Sequence, residues 1–444
     1  MLQTGELRDI VDQFTRTSSR TRVFGSVSEV TASFYVIAGL SEFLKVGDCL
    51  EIGPHAVSSL AQVVRVTKDH AVAKSFETNA VVGLGSPVER IGSIEIAPDS
   101  SWLGRVVNAF GHAVDDGAPL QRGKRRHAVD NTPPKALRRA RVENFAKTGV
   151  RAIDCFTPLC TGQRIGIFAG SGVGKSTLLS MIARSPGFDC TVVCLVGERG
   201  REVTDFLDGL TAEGVARCAT VIATGDESPM MRRLAPLTAM TIAEHFRDEG
   251  SSVLLIIDSI TRYAHALREV ALAAGELPVA HGYTPSVFAD LPRLLERAGP
   301  GSIGGGSVTG VFSVLVDADN HNDPIADCIR GTLDGHIVLD REVSESGRYP
   351  AIDLLKSISR LAHRVWTNEQ KAFVQHIRGL ISRYEETRDL RILGAYSPGQ
   401  DPILDQAVSL TPFIYEALQQ SPGSLPSANA IAEIADCLKL KIKT

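Results

Sequence analysis

Between residues 22 and 96, apolar and polar positions alternate in short runs: RVFGSVSEV, SFYVIAGL, DCLEIG, AQVVRVTKDHAVAKSF and GSPVERIGSIEIA. A period of two, interrupted at close spacing by Gly, Asp and Ser, predicts a small β-barrel. From about residue 97 the rhythm changes. Apolar strands (QRIGIFA, TVVCLVG, ATVIAT, SVLLIID, GVFSVLVD, HIVLD) now alternate with helical segments, which predicts a largely parallel α/β sheet. After about residue 367 the strands stop, and FVQHIRGLISRYEE, DQAVSLTPFIYEALQQ and NAIAEIADCLKLKI read as helices separated by Pro and Gly. Ahead of the barrel, residues 4–14 place Leu7, Ile10, Val11 and Phe14 on one helical face. That helix either packs on its own domain or awaits a partner. The expected divisions are 1–21, 22–96, 97–366 and 367–444, with Pro133–Pro134 marking an ordered linker.

One strand-to-helix transition carries chemistry. Gln163–Ala169 (QRIGIFA) is followed by GSGVGKST and then by an apolar helix over Ser176–Arg184. Strand, glycine turn and helix are the setting of a P-loop, G-x-x-x-x-G-K-[ST]. The first position of that pattern is here Ala169 rather than glycine; a methyl costs little there if φ is negative. Gly170, Gly172 and Gly174 let the backbone turn its N–H groups inward, and the helix N-terminus adds its positive dipole end. The phosphate-binding segment is thus Gly170, Ser171, Gly172, Val173, Gly174, Lys175, Ser176 and Thr177. Within it Lys175 is expected to reach the β- and γ-phosphates, and Ser176 to hold Mg²⁺.

Hydrolysis needs more than a cradle. Asp258 ends the apolar run SVLLIID, and a carboxylate at a strand's carboxyl tip lies where such sheets bind ligands. Its expected role is magnesium positioning, partly through water, against the alternative of capping the next helix. In LVGERGREV, Glu198 follows the strand ending at Val196, with Arg199, Arg201 and Glu202 beside it. Glu198 is the candidate polariser of water; the competing reading is a surface salt-bridge cluster. Arg360, closing YPAIDLLKSISR, is a candidate arginine finger for a neighbour's site, and Tyr349 a candidate shelf for the base.

Composition narrows the setting. The 444 residues are 43% hydrophobic and 22% charged with net charge −4, which suits a globular protein of two or three domains without a global basic field for nucleic acid. The local basic clusters (Arg122, Lys124, Arg125, Arg126; Arg138, Arg139, Arg141) read as solvated loop or ring-interface surface. The barrel's aromatics Phe24, Phe34, Tyr35, Phe43 and Phe76 fall mostly in core-like alternation, which argues against a base-stacking RNA platform. Eight cysteines are scattered without a CxxC pair, as in a reducing cytosol. Glu6, Asp9 and Asp12 stand where a signal peptide would need basic and then apolar residues. No apolar run approaches the ~20 residues of a membrane span, so membrane association is expected to be peripheral.

Taken together, these stretches resemble the catalytic subunits of rotary ATPases, and more closely the ATPases of flagellar and type III protein export. The matching text includes LGRVVNAFGHAVDDGAPL, TGVRAIDCFTPLCTGQRIGIFAGSGVGKSTLL, GERGREV, GYTPSVFADLPRLLERAG, DPIADCIRGTLDGHIVLDRE and YPAIDLLKSISR. The resemblance spans roughly residues 20–440, and export ATPases share A-G-S-G-V-G-K-S, so Ala169 is in register with them. It implies an α/β P-loop NTPase (RecA-like) core with an N-terminal β-barrel and a C-terminal helical domain, assembled as a homo-hexamer. It also implies Mg-ATP hydrolysis with Glu198 as the water-polarising glutamate, Arg199 in the same motif, Arg360 as the finger reaching an adjacent subunit, and Tyr349 facing adenine. TGDESPMMRRLAP and LGAYSPGQDPILDQAV favour the flagellar over the virulence branch, although Gly225 and the residue before PSVF depart from the usual pattern. The implied partners are a peripheral-stalk-like regulator at Leu7, Ile10, Val11 and Phe14, a central coiled-coil stalk at the C-terminal helices, a membrane export gate, and export substrates with their chaperones. Nucleic acid is not among them. The implied location is the cytoplasmic face of the inner membrane. A non-catalytic ring subunit is the competing reading, and the presence of Glu198 argues against it.

Overall fold

The computed structural model describes residues 23–54, 58–78, 81–316 and 323–442. The stripe Leu7, Ile10, Val11 and Phe14 lies outside them. The chain divides into two compact units, one running to Ile94 together with Ala273–Glu276, the other comprising Glu95–Leu272 and Leu277 onward.

The first unit is a closed barrel of six strands: β1 (Phe24–Val30), β2 (Tyr35–Ala38), β3 (Cys49–Ile52), β4 (Ser59–Val66), β5 (His70–Ser75) and β6 (Pro87–Gly92), in the order β1-β2-β5-β4-β3-β6. The period-two pattern sets its interior. Tyr35 and Ile37 of β2, and Ala61 and Val63 of β4, point inward onto Leu50 and Val88. The aromatic expectation needs correcting here. Tyr35 and Phe76 are buried, but Phe24 and Phe43 are 53% and 54% exposed. Phe24 has the opposite parity to the inward Val27 on β1, and Phe43 sits in the 3-10 turn Ser41–Phe43 rather than on a strand.

The second unit is built on a nine-stranded sheet. Its main path runs Ile352–Ser359, Gly335–Leu339, Arg164–Ala169, Ser307–Leu315, Ser252–Asp258, Cys190–Val196, Cys218–Ala223 and Val106–Val107, with Gly299–Pro300 pairing off the path. Neighbours on the path are parallel except the edge strand Ile352–Ser359, which returns antiparallel to Gly335–Leu339. All seven residues of Cys190–Val196 are buried, as expected of a strand covered on both faces. Three long helices, Asn368–Glu386, Pro402–Leu418 and Ala430–Ile442, with the short helix Arg388–Ile392 between the first two, follow the sheet among the described residues. Their inward residues, among them Ile377, Ile414 and Ile434, join one apolar cluster with Ile153, Leu179 and Ile337. Thr367 starts the first of these helices with a capping box: its hydroxyl accepts from Gln370 N, and Thr367 N donates to the Gln370 side chain. Among the described residues no helix is long and apolar enough to cross a membrane.

Beneath the sheet, the buried guanidinium of Arg297 (1% exposed) meets the equally buried Glu244 through two hydrogen bonds of 3.0 and 2.8 Å, and also donates to Thr241 Oγ1 and Val129 O. Removing one ion of such a pair leaves the other uncompensated, at a cost of about 3–5 kcal/mol. Arg297→Met is therefore expected to lower the urea midpoint sharply. The double variant Arg297→Met/Glu244→Leu is expected to recover most of the loss, and equilibrium denaturation of the three proteins measures both effects.

Candidate active site

The strand Arg164–Ala169 delivers the chain to the carboxyl edge of the sheet. Ala169 is buried and paired with Leu315 and Leu339 on its flanking strands. Among the described residues His281 is the one non-glycine with positive φ, so Ala169 has ordinary strand backbone and its methyl fills core. Glycine becomes necessary at Gly172 (φ +80°) and Gly174 (φ +89°), where a side chain would be strained. Gly174 caps the helix Lys175–Ala183 without a side chain. Val173 is buried and tethers the loop to the core, whereas Ser171, Gly172, Ser176 and Thr177 face solvent. The result is an open cradle of backbone amides at a helix N-terminus, the arrangement that binds phosphate.

Three charged groups converge on this loop. Lys175 Nζ lies against Asp258 Oδ1 and 3.7 Å from Glu198 Oε1. Asp258 stands at the tip of Ser252–Asp258, two strands from the P-loop strand. The intervening strand contributes Ser313, whose hydroxyl donates to Asp258 Oδ1 at 2.5 Å. Glu198, only 5% exposed, follows Cys190–Val196 through Gly197. Its burial removes the surface salt-bridge reading, and the contact of Asp258 with Lys175 shows that this carboxylate faces the loop.

Arg262 completes the cluster and was not among the residues singled out in the sequence. From the first turn of the helix Ile260–Ala273 its Nη2 donates to Glu198 Oε2 at 3.1 Å, and its Nη1 donates to Gly197 O. Gly197 has φ +67°, and a Cβ there would come within 2.9 Å of Arg262 Cδ, so glycine both makes the turn and admits the arginine. The available signal was an arginine in the first turn of the helix that follows the Asp258 strand. Ser313 had no such signal, because it reaches Asp258 through sheet pairing alone.

The electrostatics follow from the burial. Withdrawal from water, a hydrogen bond shared with Glu202, and the nearby Asp258 together raise the Glu198 pKa to about 8, against the pull of Lys175 and Arg262. Glu202, more exposed, is lowered as the partner in that hydrogen bond. Glu198 Oε1 accepts no hydrogen bond among the described residues. A buried oxygen without a partner beside an open amide cradle fits a site made for a triphosphate, its cation and a water molecule.

The remaining candidates divide. Tyr349 is brought to the loop: a Cβ built on Gly174 would lie 3.6 and 3.7 Å from its Cε1 and Cδ1. Arg199 is the exposed N-cap residue of the helix Gly200–Asp208. Arg360 is not brought to the loop. It is exposed, and its N–H donates to Asp334 O, level with Arg164 at the opposite end of the P-loop strand. At about 3.3 Å per strand residue that is roughly 16 Å from Ala169.

The chain is similar to known proteins. The model of the ATP synthase alpha/beta family, nucleotide-binding domain, matches residues 149–359, and that of the T3SS EscN ATPase C-terminal domain matches residues 366–434. The flagellum-specific ATP synthase of Agrobacterium fabrum is 52% identical over 94% of this chain and 88% of its own length. The assembled ATPase EscN of the enteropathogenic E. coli type III secretion system superposes with a TM-score of 0.87 at 38% identity, over 94% of this chain and all of that one. EscN in complex with its central stalk EscO gives 0.85 at 37% identity, with the same coverage.

A carboxyl group whose pKa rises on folding from its ordinary value (~4.3) stabilises the fold while both states are protonated. That contribution is lost as pH climbs through the folded value, here about 8. Glu198→Gln, which cannot ionise, is therefore expected to melt above wild type at pH 9 in nucleotide-free protein, with the gap narrowing toward pH 5. Thermal scans across that range test it.

Proposed function

The chain belongs to the ATP synthase alpha/beta family, in its flagellar and type III secretion branch, and from that membership we propose that it is the Mg-ATP hydrolase of a flagellar protein-export apparatus, working as a hexameric ring. The observation that carries the catalytic reading is the convergence of Lys175, Glu198 and Asp258 on a glycine-formed helix N-terminus. Identity favours flagellar over virulence export, at 52% to a flagellum-specific enzyme against 38% to EscN, and TGDESPMMRRLAP agrees.

Each residue then has a task. The amides from Gly170 to Gly174 and the first helical turn with Ser176 and Thr177 hold the phosphates. Lys175 exchanges its carboxylate partners for phosphate oxygens. Ser176 and Asp258 would hold Mg²⁺, which would supply positive charge to the phosphates. Ser313 keeps Asp258 turned toward that position. Glu198, oriented through Oε2 by Arg262, presents Oε1 to the attacking water and accepts its proton; the burial that raises its pKa makes the ionised form a stronger base. Arg199 lends positive charge at the mouth of the same motif, and Tyr349 stacks on the base. Arg360, remote from its own P-loop, serves the site of the adjoining protomer.

The same reading gives the chain its neighbours. The assembled EscN supports a ring, and its complex with EscO supports a central coiled-coil stalk at the C-terminal helices. The segment with Leu7, Ile10, Val11 and Phe14 docks a peripheral-stalk-like regulator. The ring works at the cytoplasmic side of the inner membrane, beneath the export gate, where it receives export substrates and their chaperones.

Glu198→Gln is expected to keep ATP affinity within a few-fold of wild type while turnover falls by at least ~10²-fold; equal loss of both would make Glu198 structural. Arg360→Ala is expected to reduce turnover by ~10³-fold or more. Mixing it with Lys175→Ala protein should restore part of the activity, since some mixed interfaces pair an intact P-loop with an intact arginine. No recovery in rings shown by native mass spectrometry to be mixed would remove Arg360 from the neighbouring site.

A further inference from the structure

Tyr349 lies in the segment leading into the edge strand Ile352–Ser359, and its ring hydroxyl shares a hydrogen bond of 2.9 Å with Ser344 Oγ. Its backbone is held from the C-terminal helices. The residue after the end of the helix Pro402–Leu418 and its following Gln419 is Gln420, 5% exposed, with its backbone N–H and both ends of its side-chain amide engaged. Its N–H donates to Tyr349 O at 3.0 Å. Its side-chain Oε1 accepts from Arg151 N at 2.7 Å, and its Nε2 donates to Gly149 O at 3.0 Å.

A primary amide meeting one backbone N–H and one backbone C=O in this way reproduces a rung of β-ladder. It splices the Tyr349 backbone to the chain segment that opens the nucleotide-binding fold. The receiving segment is itself rigid. Gly149 has φ +79°, and a Cβ there would come within 2.5 Å of Pro426, while Thr148 and Gly149 donate their N–H groups to the buried Asp154. On the other side of the tyrosine, the Arg348 guanidinium stacks 3.7 Å from the Tyr415 ring centroid. From the C-terminal side the base shelf is thus held at two points, and the Gln420 contact links it by directed hydrogen bonds to residues 149–151.

We propose that Gln420 is a positioning residue for the nucleotide's base: its buried amide fixes the Tyr349 backbone against residues 149–151 and so sets where the tyrosine ring stands beside Gly174 when it meets the base. This rests on the reading that Tyr349 faces the base. Length and chemistry are both required. Asparagine falls one methylene short, glutamate sets an oxygen against Gly149 O, and methionine keeps the shape without either hydrogen bond.

The test compares assembled rings of wild type, Tyr349→Ala, Gln420→Met and Gln420→Glu in two assays: KM and kcat for ATP, and the inhibition constant of inorganic tripolyphosphate, which has no base. Gln420→Met is expected to raise KM for ATP about fivefold, the loss of roughly one net hydrogen bond's worth of positioning, in the same direction as Tyr349→Ala. The effect should fall on KM more than on kcat, and the tripolyphosphate constant should stay within twofold of wild type. Gln420→Glu covers the case in which the methionine variant does not fold, with the same expected pattern. If Tyr349→Ala raises KM and the folded Gln420 variants do not, or if they weaken tripolyphosphate equally, the inference on Gln420 is overturned while the shelf stands. If Tyr349→Ala leaves KM for ATP unchanged, the shelf reading falls and the inference with it.

Discussion

Two carboxylates and one ammonium, all largely withdrawn from water, meet at the carboxyl edge of the sheet, and none of them is tolerable there alone. Desolvating a charge costs several kcal/mol unless a counter-charge and hydrogen bonds replace the water. Lys175 against Asp258, with Glu198 close by, is the local solution. It requires three separate strand tips to arrive at one place. The parallel order of the sheet does this by putting the carboxyl ends of Arg164–Ala169, Cys190–Val196 and Ser252–Asp258 on one edge.

The surroundings refine that solution. Ser313 removes one lone pair of Asp258 from competition, and Arg262 takes the outer oxygen of Glu198. The inner oxygen is left without a hydrogen bond, which is how a structure keeps a base ready. Arg297 and Glu244 use the same physics for the opposite purpose: every nitrogen of that guanidinium donates a hydrogen bond within the fold, so the pair is scaffold and not site. A buried ion pair with all its partners is inert, and one with a gap is poised.

What the sequence made legible follows from how local each signal is. The P-loop, its glycines and Lys175 occupy one contiguous turn, and Asp258 and Glu198 each end an apolar run, so strand rhythm alone places them at an edge. Ala169 could be judged harmless because its backbone demand is set by its own φ. Arg262, Ser313 and Gln420 act across 64, 55 and 71 residues of chain respectively, and no periodicity encodes such meetings. The barrel aromatics failed for a different reason. Their alternation suggested core, but parity on β1 and a short turn put Phe24 and Phe43 outside, and a one-residue change of register reverses every side chain on a strand.

The antiparallel return of Ile352–Ser359 carries the chain from beside the nucleotide cradle to the opposite end of the sheet before it reaches Arg360. On the proposed reading of Arg360, the protomer has a front and a back that are unlike: one surface lacks an arginine and another supplies it. Surfaces of that kind join head to tail, and such contacts propagate in one rotational sense until the circle closes. A ring assembled this way has an inherent direction, since each protomer completes the site of one neighbour and depends for its own on the other. Any order of firing around the ring would inherit its handedness from the path of a single edge strand.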